Sequence, residues 1–285
     1  MMFWGLSFVW SKVVFKYYDP ITTIILRLII SSILLFATLY IFYPKEIKKI
    51  DKNIKWFFLM AFFEPFMYFI GESFGLLKVD ATFASVIIST IPVFTAAIGF
   101  YFLKEKLTFI NFLGIVISCS GVIIMMLNNK MQFNAPLDGV LLIFLAVASA
   151  VGYGVIMKKI SLHYHPIYII AIQNLIGVIL FLPLFAIFGY QKFITVTPNF
   201  ELISSLLMLS VLASSIAFIL YTYVVRDMGI AKANIFTNLI PIFTAIASLF
   251  ILNEQFTLIK IIGITIVISG VYLSQRHVNK KREVI

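Results

Sequence analysis

Apolar runs of about twenty residues follow one another almost from end to end of this chain, with charged or turn-forming residues standing between them. An α-helix rises 1.5 Å per residue, so a run of ~20 residues crosses the hydrocarbon core of a bilayer. Ten such runs can be marked, at 2–16, 21–43, 56–77, 82–103, 109–127, 137–157, 166–189, 202–225, 231–252 and 257–274. The breaks fall at Asp19-Pro20, Pro44 to Lys55, Lys104-Glu105-Lys106, Asn128 to Pro136, His165-Pro166, Thr197-Pro198-Asn199 and Asn253-Glu254-Gln255. In lipid each backbone polar group must be paired within the protein, and a helix does this inside its own segment. The pattern therefore predicts an all-α membrane protein of about ten transmembrane helices. The hydrophobic share of 62% and the charged share of 12% agree, because no water-facing fold could bury that much apolar surface. Lipid-facing and headgroup-level rings account for most of the 30 Phe and 13 Tyr. The first run is short for a crossing: either the helix is partial or the natural start lies upstream of Met1. It lacks a basic leader and a small-residue cleavage site, so it does not read as a cleaved signal peptide.

A net charge of +10 raises the question of nucleic acid, but the placement of the charge answers it. With the N-terminus in the cytoplasm, fifteen Lys and Arg fall on the inner side, five on or near the outer side, and Arg27 and Lys260 within runs. Short loops with this bias follow the positive-inside rule. Both termini are expected in the cytoplasm, the protein in the cytoplasmic membrane, with the lipid bilayer and not nucleic acid as its partner.

The two halves repeat each other. Ile91-Pro92-Val93-Phe94-Thr95-Ala96 matches Ile240-Pro241-Ile242-Phe243-Thr244-Ala245 at an offset of 149, which also pairs Glu105 with Glu254, Gly114 with Gly263 and Ser120-Gly121-Val122 with Ser269-Gly270-Val271. Sixteen identities fall between residues 81 and 122 and the later copy, where composition alone gives roughly four. An offset of 146 aligns Lys12 with Lys158 and Asp19-Pro20 with His165-Pro166. The expected units are 1–130 and 131–285, each with five runs. Five is odd, so the second copy must lie inverted in the membrane, an arrangement typical of secondary transporters.

Taken in order along the chain, Trp4-Gly5-x-Ser7-Phe8, Leu26-Arg27, the Pro92 and Pro241 helices each followed by a Glu, and the Gly114 and Gly263 helices closing each half resemble an EamA-type transporter of the drug/metabolite transporter superfamily. The resemblance covers essentially the whole chain. It implies ten helices in two inverted five-helix halves, a central cavity, and often export of amino acids or other metabolites.

A charge in the bilayer core costs several kcal/mol, so it faces the protein interior or water. Glu64 and Glu72 lie eight apart in the third run with Tyr68 midway, so all three share one helical face, and Pro65 loosens the ladder beside them. Burial disfavours a charged carboxyl, which suits coupling to a proton or binding of a cation; pairing with Arg27 to hold helices together is the structural alternative. Arg27 could clamp a substrate carboxylate, or serve as a structural ion pair. Its counterpart in the second half is Gln173. The matched prolines Pro92 and Pro241 mark helix breaks, which point to a binding site. Ser85 and Ser89 correspond there to Asn234 and Asn238, each pair spaced by four. Trp4, Ser7, Tyr153 and Tyr221 are further candidate cavity residues, with packing or lipid contact as the alternative for each ring. Glu105 and Glu254 stand at helix ends among charges, where interface or gate contacts are expected.

There is no Walker A sequence, no H-E-x-x-H and no G-x-S-x-G, and the one cysteine, Cys119, can form no internal disulfide. His163 and His165 read as a solvated loop pair, not a metal site. No cofactor and no enzymatic activity are expected. A small-molecule exporter, with a proton as candidate coupling ion, is the leading reading. Efflux of cationic or amphiphilic drugs and a passive channel or scramblase are the alternatives.

Overall fold

The computed structural model describes residues 1–47, 54–95, 109–127 and 135–275. The described residues are helices joined by short connections: α1 (Met2–Val14), α2 (Pro20–Phe42), α3 (Ile54–Leu76), α4 (Ala81–Thr95), α5 (Phe109–Met125), α6 (Leu137–Ser161), α7 (Pro166–Thr195), α8 (Phe200–Met228), α9 (Lys232–Ile251) and α10 (Leu258–Gln275). Six of them, α2, α3 and α6 to α9, are long and apolar enough to cross a membrane; the other four are shorter apolar helices. Each expected run holds one helix. The end of the fourth run, and Glu105 with it, lies outside the described residues.

The turn residues start the helices by ordinary capping. The Asp19 carboxylate accepts from Thr22 N at 3.0 Å with Pro20 as first helical residue, and the Asn199 side-chain oxygen accepts from Leu202 N at 2.8 Å. Gly229, at φ 84°, makes the reversal between α8 and α9, a conformation that strains a residue with a Cβ.

Large apolar side chains cover the outside of the bundle, and its interior, mostly apolar as well, holds three charged residues. Phe250 is 76% exposed and Phe109 74%, whereas Arg27, Glu64 and Glu72 are 3–4% exposed. That distribution suits lipid as the surrounding solvent.

Packing follows an exchange pattern. α1 packs on α8 and α9, and α6 packs on α3 and α4; α2 packs on α8, and α7 on α3; α2 pairs with α7, α4 with α9, and α5 with α10. Exchanging each helix for the one five places along reproduces these pairings. Small residues set the close approaches, as helix contacts in membranes require. A Cβ on Gly114 would meet the backbone of Ser274 and Gly270, and one on Gly270 the backbone of Ser118 and Gly114. Gly121 and Gly263 oppose each other in the same reciprocal way, so the repeated glycines form an antiparallel α5–α10 seam. Gly5 lies against Ile240 and Phe243 of α9, and its carbonyl accepts from Thr244 Oγ1 at 2.9 Å.

The two histidines differ from their expectation in part. His163 is exposed, but His165 is half-buried, its ring 4.4 Å from that of Tyr43 and its Nε2 3.3 Å from Tyr223 Oη.

Candidate functional site: a polar cavity at mid-bundle

α3 and α8 each carry a π-helical stretch. α3 widens into a π-helical turn over Phe62–Met67, with Glu64 itself non-helical at φ −139°, ψ 113°, and α8 does so over Leu209–Ala217. Pro65 cannot donate to the ladder, which explains the first break. In the second, Ser215 Oγ donates to Ser210 O at 2.9 Å, five residues back, as a widened turn allows.

The α3 break borders a cavity of about 60 Å³, room for several waters. From the first half it is lined by Trp4, Ser7 and Phe8 of α1, Arg27 of α2, Glu64, Tyr68, Phe69 and Glu72 of α3, and Ile88 and Ile91 of α4. From the second come Ala150 and Tyr153 of α6, Phe218 and Tyr221 of α8, and Asn234, Thr237 and Ile240 of α9.

Glu64, Tyr68 and Glu72 reach one cavity although the helix between them is not continuous. Glu64 Oε1 is buried and has no hydrogen-bond partner. Tyr68 Oη approaches Glu72 Oε1 at 3.5 Å. Arg27 does not pair with either carboxyl: among the described residues no ion pair contains Arg27, Glu64 or Glu72. Its Nε instead donates to Ser214 Oγ at 2.9 Å, and its guanidinium carbon lies 4.2 Å from the centre of the Phe69 ring. The structural ion pair weighed from the sequence is therefore replaced by a hydroxyl and a ring face. Ser214 belongs to a buried network: Asn174 Nδ2 donates to Ser31 Oγ at 2.7 Å and to Ser214 O at 3.2 Å, and Ser31 and Ser215 hydroxyls meet at 2.7 Å. The sequence signal for it was Asn174 beside Gln173 and a serine pair in an apolar run.

The remaining candidates divide. Trp4 Nε1 donates to Ala213 O at 3.3 Å, Ser7 Oγ to Trp4 O at 2.8 Å, Tyr153 Oη to Gln173 Oε1 at 3.2 Å and Tyr221 Oη to Asn234 Oδ1 at 2.8 Å. Gln173 stands one bond behind the wall. Ser85, Ser89 and Asn238 do not line the cavity. Ser85 and Ser89 donate to the carbonyls of Thr82 and Val86 in their own helix, a common way for a lone hydroxyl to be satisfied in an apolar helix. The lining positions are instead Ile88 and Ile91 in α4 and Asn234, Thr237 and Ile240 in α9, at spacings of three. The cause is local geometry. Phe236–Leu239 is a 3₁₀ turn and Ser89–Thr90 a turn with Thr90 N on Ile87 O; where three residues make a turn, i and i+3 eclipse. One residue, Ile91 or Ile240, separates each break from Pro92 or Pro241, and that residue lines the cavity.

At the end of the bundle carrying Asp80 and Asp138, the Glu254 carboxylate caps the opposite half. It accepts from Ala81 N at 2.7 Å and from Thr82 Oγ1 at 2.6 Å, with Thr82 N at 3.4 Å. Asp80, the N-cap residue of α4, makes no cap bond and pairs with Lys260 of α10, while Lys78 pairs with Asp138.

A bundle of helices with apolar flanks around a cavity lined by Arg27, Glu64 and Glu72 is the build of a multi-pass membrane protein. The EamA-like transporter family model matches residues 1–127 and again 137–275. This chain belongs to that family, which lies within the drug/metabolite transporter superfamily. It is 28% and 26% identical to two uncharacterized transporters of Archaeoglobus fulgidus over 96% of its length and 94–95% of theirs. With the uncharacterized transporter YetK of Bacillus subtilis it shares 27% identity over 87% of this chain and 76% of that one. A solved crystal structure matches 95% of this chain and 92% of its own at TM-score 0.70 and 12% identity, which shows a shared fold.

Proposed function

We propose that this chain is a secondary transporter that exports an amino acid or similar small metabolite by alternating access. The units 1–130 and 131–285 would be inverted five-helix halves that rock around the cavity, in the cytoplasmic membrane with both termini inside. One observation carries the reading: buried Glu64, Glu72 and Arg27 converge on one cavity at mid-bundle, and both halves supply its wall. Charges are retained in apolar spans where they meet a solute or an ion. The exchange pattern of packing supports two halves able to trade roles. The excess of Lys and Arg on one side supports the orientation, with the Glu254 cap then on the outer face. Glu72 and Glu64 are the groups through which a proton would be coupled.

The test is a ligand-induced thermal-shift screen of detergent-purified protein with amino acids, nucleosides, sugar phosphates and cationic dyes, wild type beside Glu72→Gln. A saturable shift by one class that the variant loses supports substrate or coupling at Glu72; a shift the variant keeps returns Glu72 to a structural role. Efflux of cationic or amphiphilic compounds is the second reading, favoured by the ring-lined wall beside two carboxyls.

A further inference from the structure

Lysines at the two ends of the bundle are used differently. At the end carrying Asp80 and Asp138, Lys16 pairs with Glu201, Lys78 with Asp138 and Lys260 with Asp80. At the opposite end, where α3 begins and α6 finishes, Lys55 and Lys159 are exposed. Among the described residues neither pairs with a carboxylate. Both are gathered at one ring instead: the Lys159 ammonium lies 3.9 Å from the centre of the half-buried Trp56 indole, and that of Lys55 5.9 Å from it. The neighbouring Lys158 turns away to α8, its Nζ donating to Val225 O at 3.5 Å. A ring face attracts each cation, but two ammonium groups at one indole also repel each other. An anion beside the indole offsets that repulsion and accepts the N–H groups that the protein leaves to its surroundings.

What lies deeper along the two helices says which anion fits. A helix returns to one face every three to four residues, with 5.4 Å of rise per turn. From Lys55 toward mid-bundle, the same face of α3 presents Leu59 and Phe62, both exposed, and one turn from Lys159 α6 presents exposed Val155. The helices pack on each other here, with Gly152 of α6 against the ring of Phe63. Two cations and an indole thus stand at the head of an apolar cleft. Tryptophan favours that level, where lipid meets water. A free phosphate would use the cations and leave the cleft idle. A zwitterionic lipid would use the cleft but bring a cation of its own to the lysines. We propose that the α3–α6 corner binds one anionic phospholipid, its phosphate on Lys55 and Lys159 beside Trp56 and an acyl chain along Leu59, Phe62 and Val155. In the orientation proposed above, the site faces the inner leaflet. It is separate from the mid-bundle cavity and does not depend on which solute the protein moves.

Phosphatidylglycerol, phosphatidylcholine and inorganic phosphate are the probes, added to full-length protein in detergent. Bound lipid is counted by native mass spectrometry, and affinity is read by thermal shift and Trp fluorescence. Each lysine at an anionic headgroup strengthens association about fivefold, so phosphatidylglycerol should bind about thirtyfold more tightly than phosphatidylcholine. Lys55→Gln and Lys159→Gln should each remove about fivefold of that preference, and the double variant nearly all of it. Lys159→Arg should keep it. Lys45→Gln with Lys232→Gln removes two other exposed lysines of the same end and should leave it unchanged. The fluorescence change on adding phosphatidylglycerol should disappear in Trp56→Phe, which retains Trp4 and Trp10. Equal affinity for the two lipids, or a preference that survives in the Lys55→Gln, Lys159→Gln double variant, would overturn the proposal. An equal loss in the Lys45→Gln, Lys232→Gln variant would overturn it in favour of a diffuse basic face. A thermal shift reproduced by inorganic phosphate alone would overturn it in favour of a simple anion site.

Discussion

Replacing Glu254 by alanine removes the carboxylate that ties the α9–α10 connection to the start of α4. The structure gives the magnitude. Ala81 N loses its acceptor at 2.7 Å, while the Thr82 hydroxyl loses one at 2.6 Å but keeps Ser248 Oγ at 2.8 Å. The 3.4 Å contact to Thr82 N adds little. Hydrogen bonds to a charged group contribute about 1.5–3 kcal/mol each. Because Glu254 is half-buried and the Thr82 hydroxyl keeps a partner, the loss should fall near the lower end, about 2 kcal/mol. If the cap is made only when the outer mouth is closed, that loss favours the open mouth by roughly thirtyfold. The assay is labelling of a cysteine at Ala150, a lining residue, by a membrane-impermeant thiol reagent applied to the outside of cells, in a Cys119→Ala background. Glu254→Ala should raise the labelling rate strongly and Glu254→Gln, which keeps one acceptor oxygen, by less. An unchanged or slower rate in Glu254→Ala, with expression and melting temperature intact, would show that the cap does not govern access.

Four further outcomes follow from the packing and the site. Gly114→Ala and Gly270→Ala each force a methyl into the facing backbone of the α5–α10 seam, so each should cost about 1–3 kcal/mol in detergent unfolding, and the double variant should be non-additive because the two glycines oppose each other. Trp4→Phe keeps a ring but loses the 3.3 Å bond to Ala213 O, so stability should fall by about 1 kcal/mol with transport retained, whereas Trp4→Ala should abolish transport. Ser214→Ala leaves Arg27 Nε without its acceptor and should weaken any carboxylate-bearing ligand more than a plain amine in the thermal-shift comparison. An outward-directed substrate gradient should move protons inward if the carboxyls couple the cycle, read by a pH dye inside proteoliposomes, and Glu72→Gln should lose that signal.

Hydrophobicity alone makes the helices legible in the sequence. A span in lipid must be apolar and internally bonded, so its place and approximate length follow from composition, and the residues that interrupt it, Asp19-Pro20 and Asn199 among them, become its caps. The buried charges were legible for the same reason, since Arg27, Glu64 and Glu72 have no place in lipid. Less legible was the face that α4 and α9 present. A spacing of four at Ser85/Ser89 and Asn234/Asn238 assumes uninterrupted α-helix, but the turns before Pro92 and Pro241 change the period to three and bring Ile88, Ile91, Thr237 and Ile240 to the cavity. A proline announces a break but not how the chain winds ahead of it. The apolar wall was invisible for another reason: Phe8, Phe69 and Phe218 do not differ in type from the rings that face lipid, and only tertiary position sorts them. The repeat carried more than expected, because the reciprocal glycine seam of α5 and α10 follows from Gly114, Gly121, Gly263 and Gly270 once the helices run antiparallel.

The central claim, that a solute passes through the cavity by alternating access, is tested most directly by counterflow. Purified protein is placed in liposomes preloaded with a high concentration of an unlabelled ligand from the thermal-shift screen, and entry of the labelled compound, supplied outside at low concentration, is followed with no ion gradient applied. The account predicts a transient, saturable accumulation that depends on the internal ligand and disappears in Trp4→Ala. Entry that rises linearly with concentration and ignores the internal ligand would contradict it and mark a passive pore.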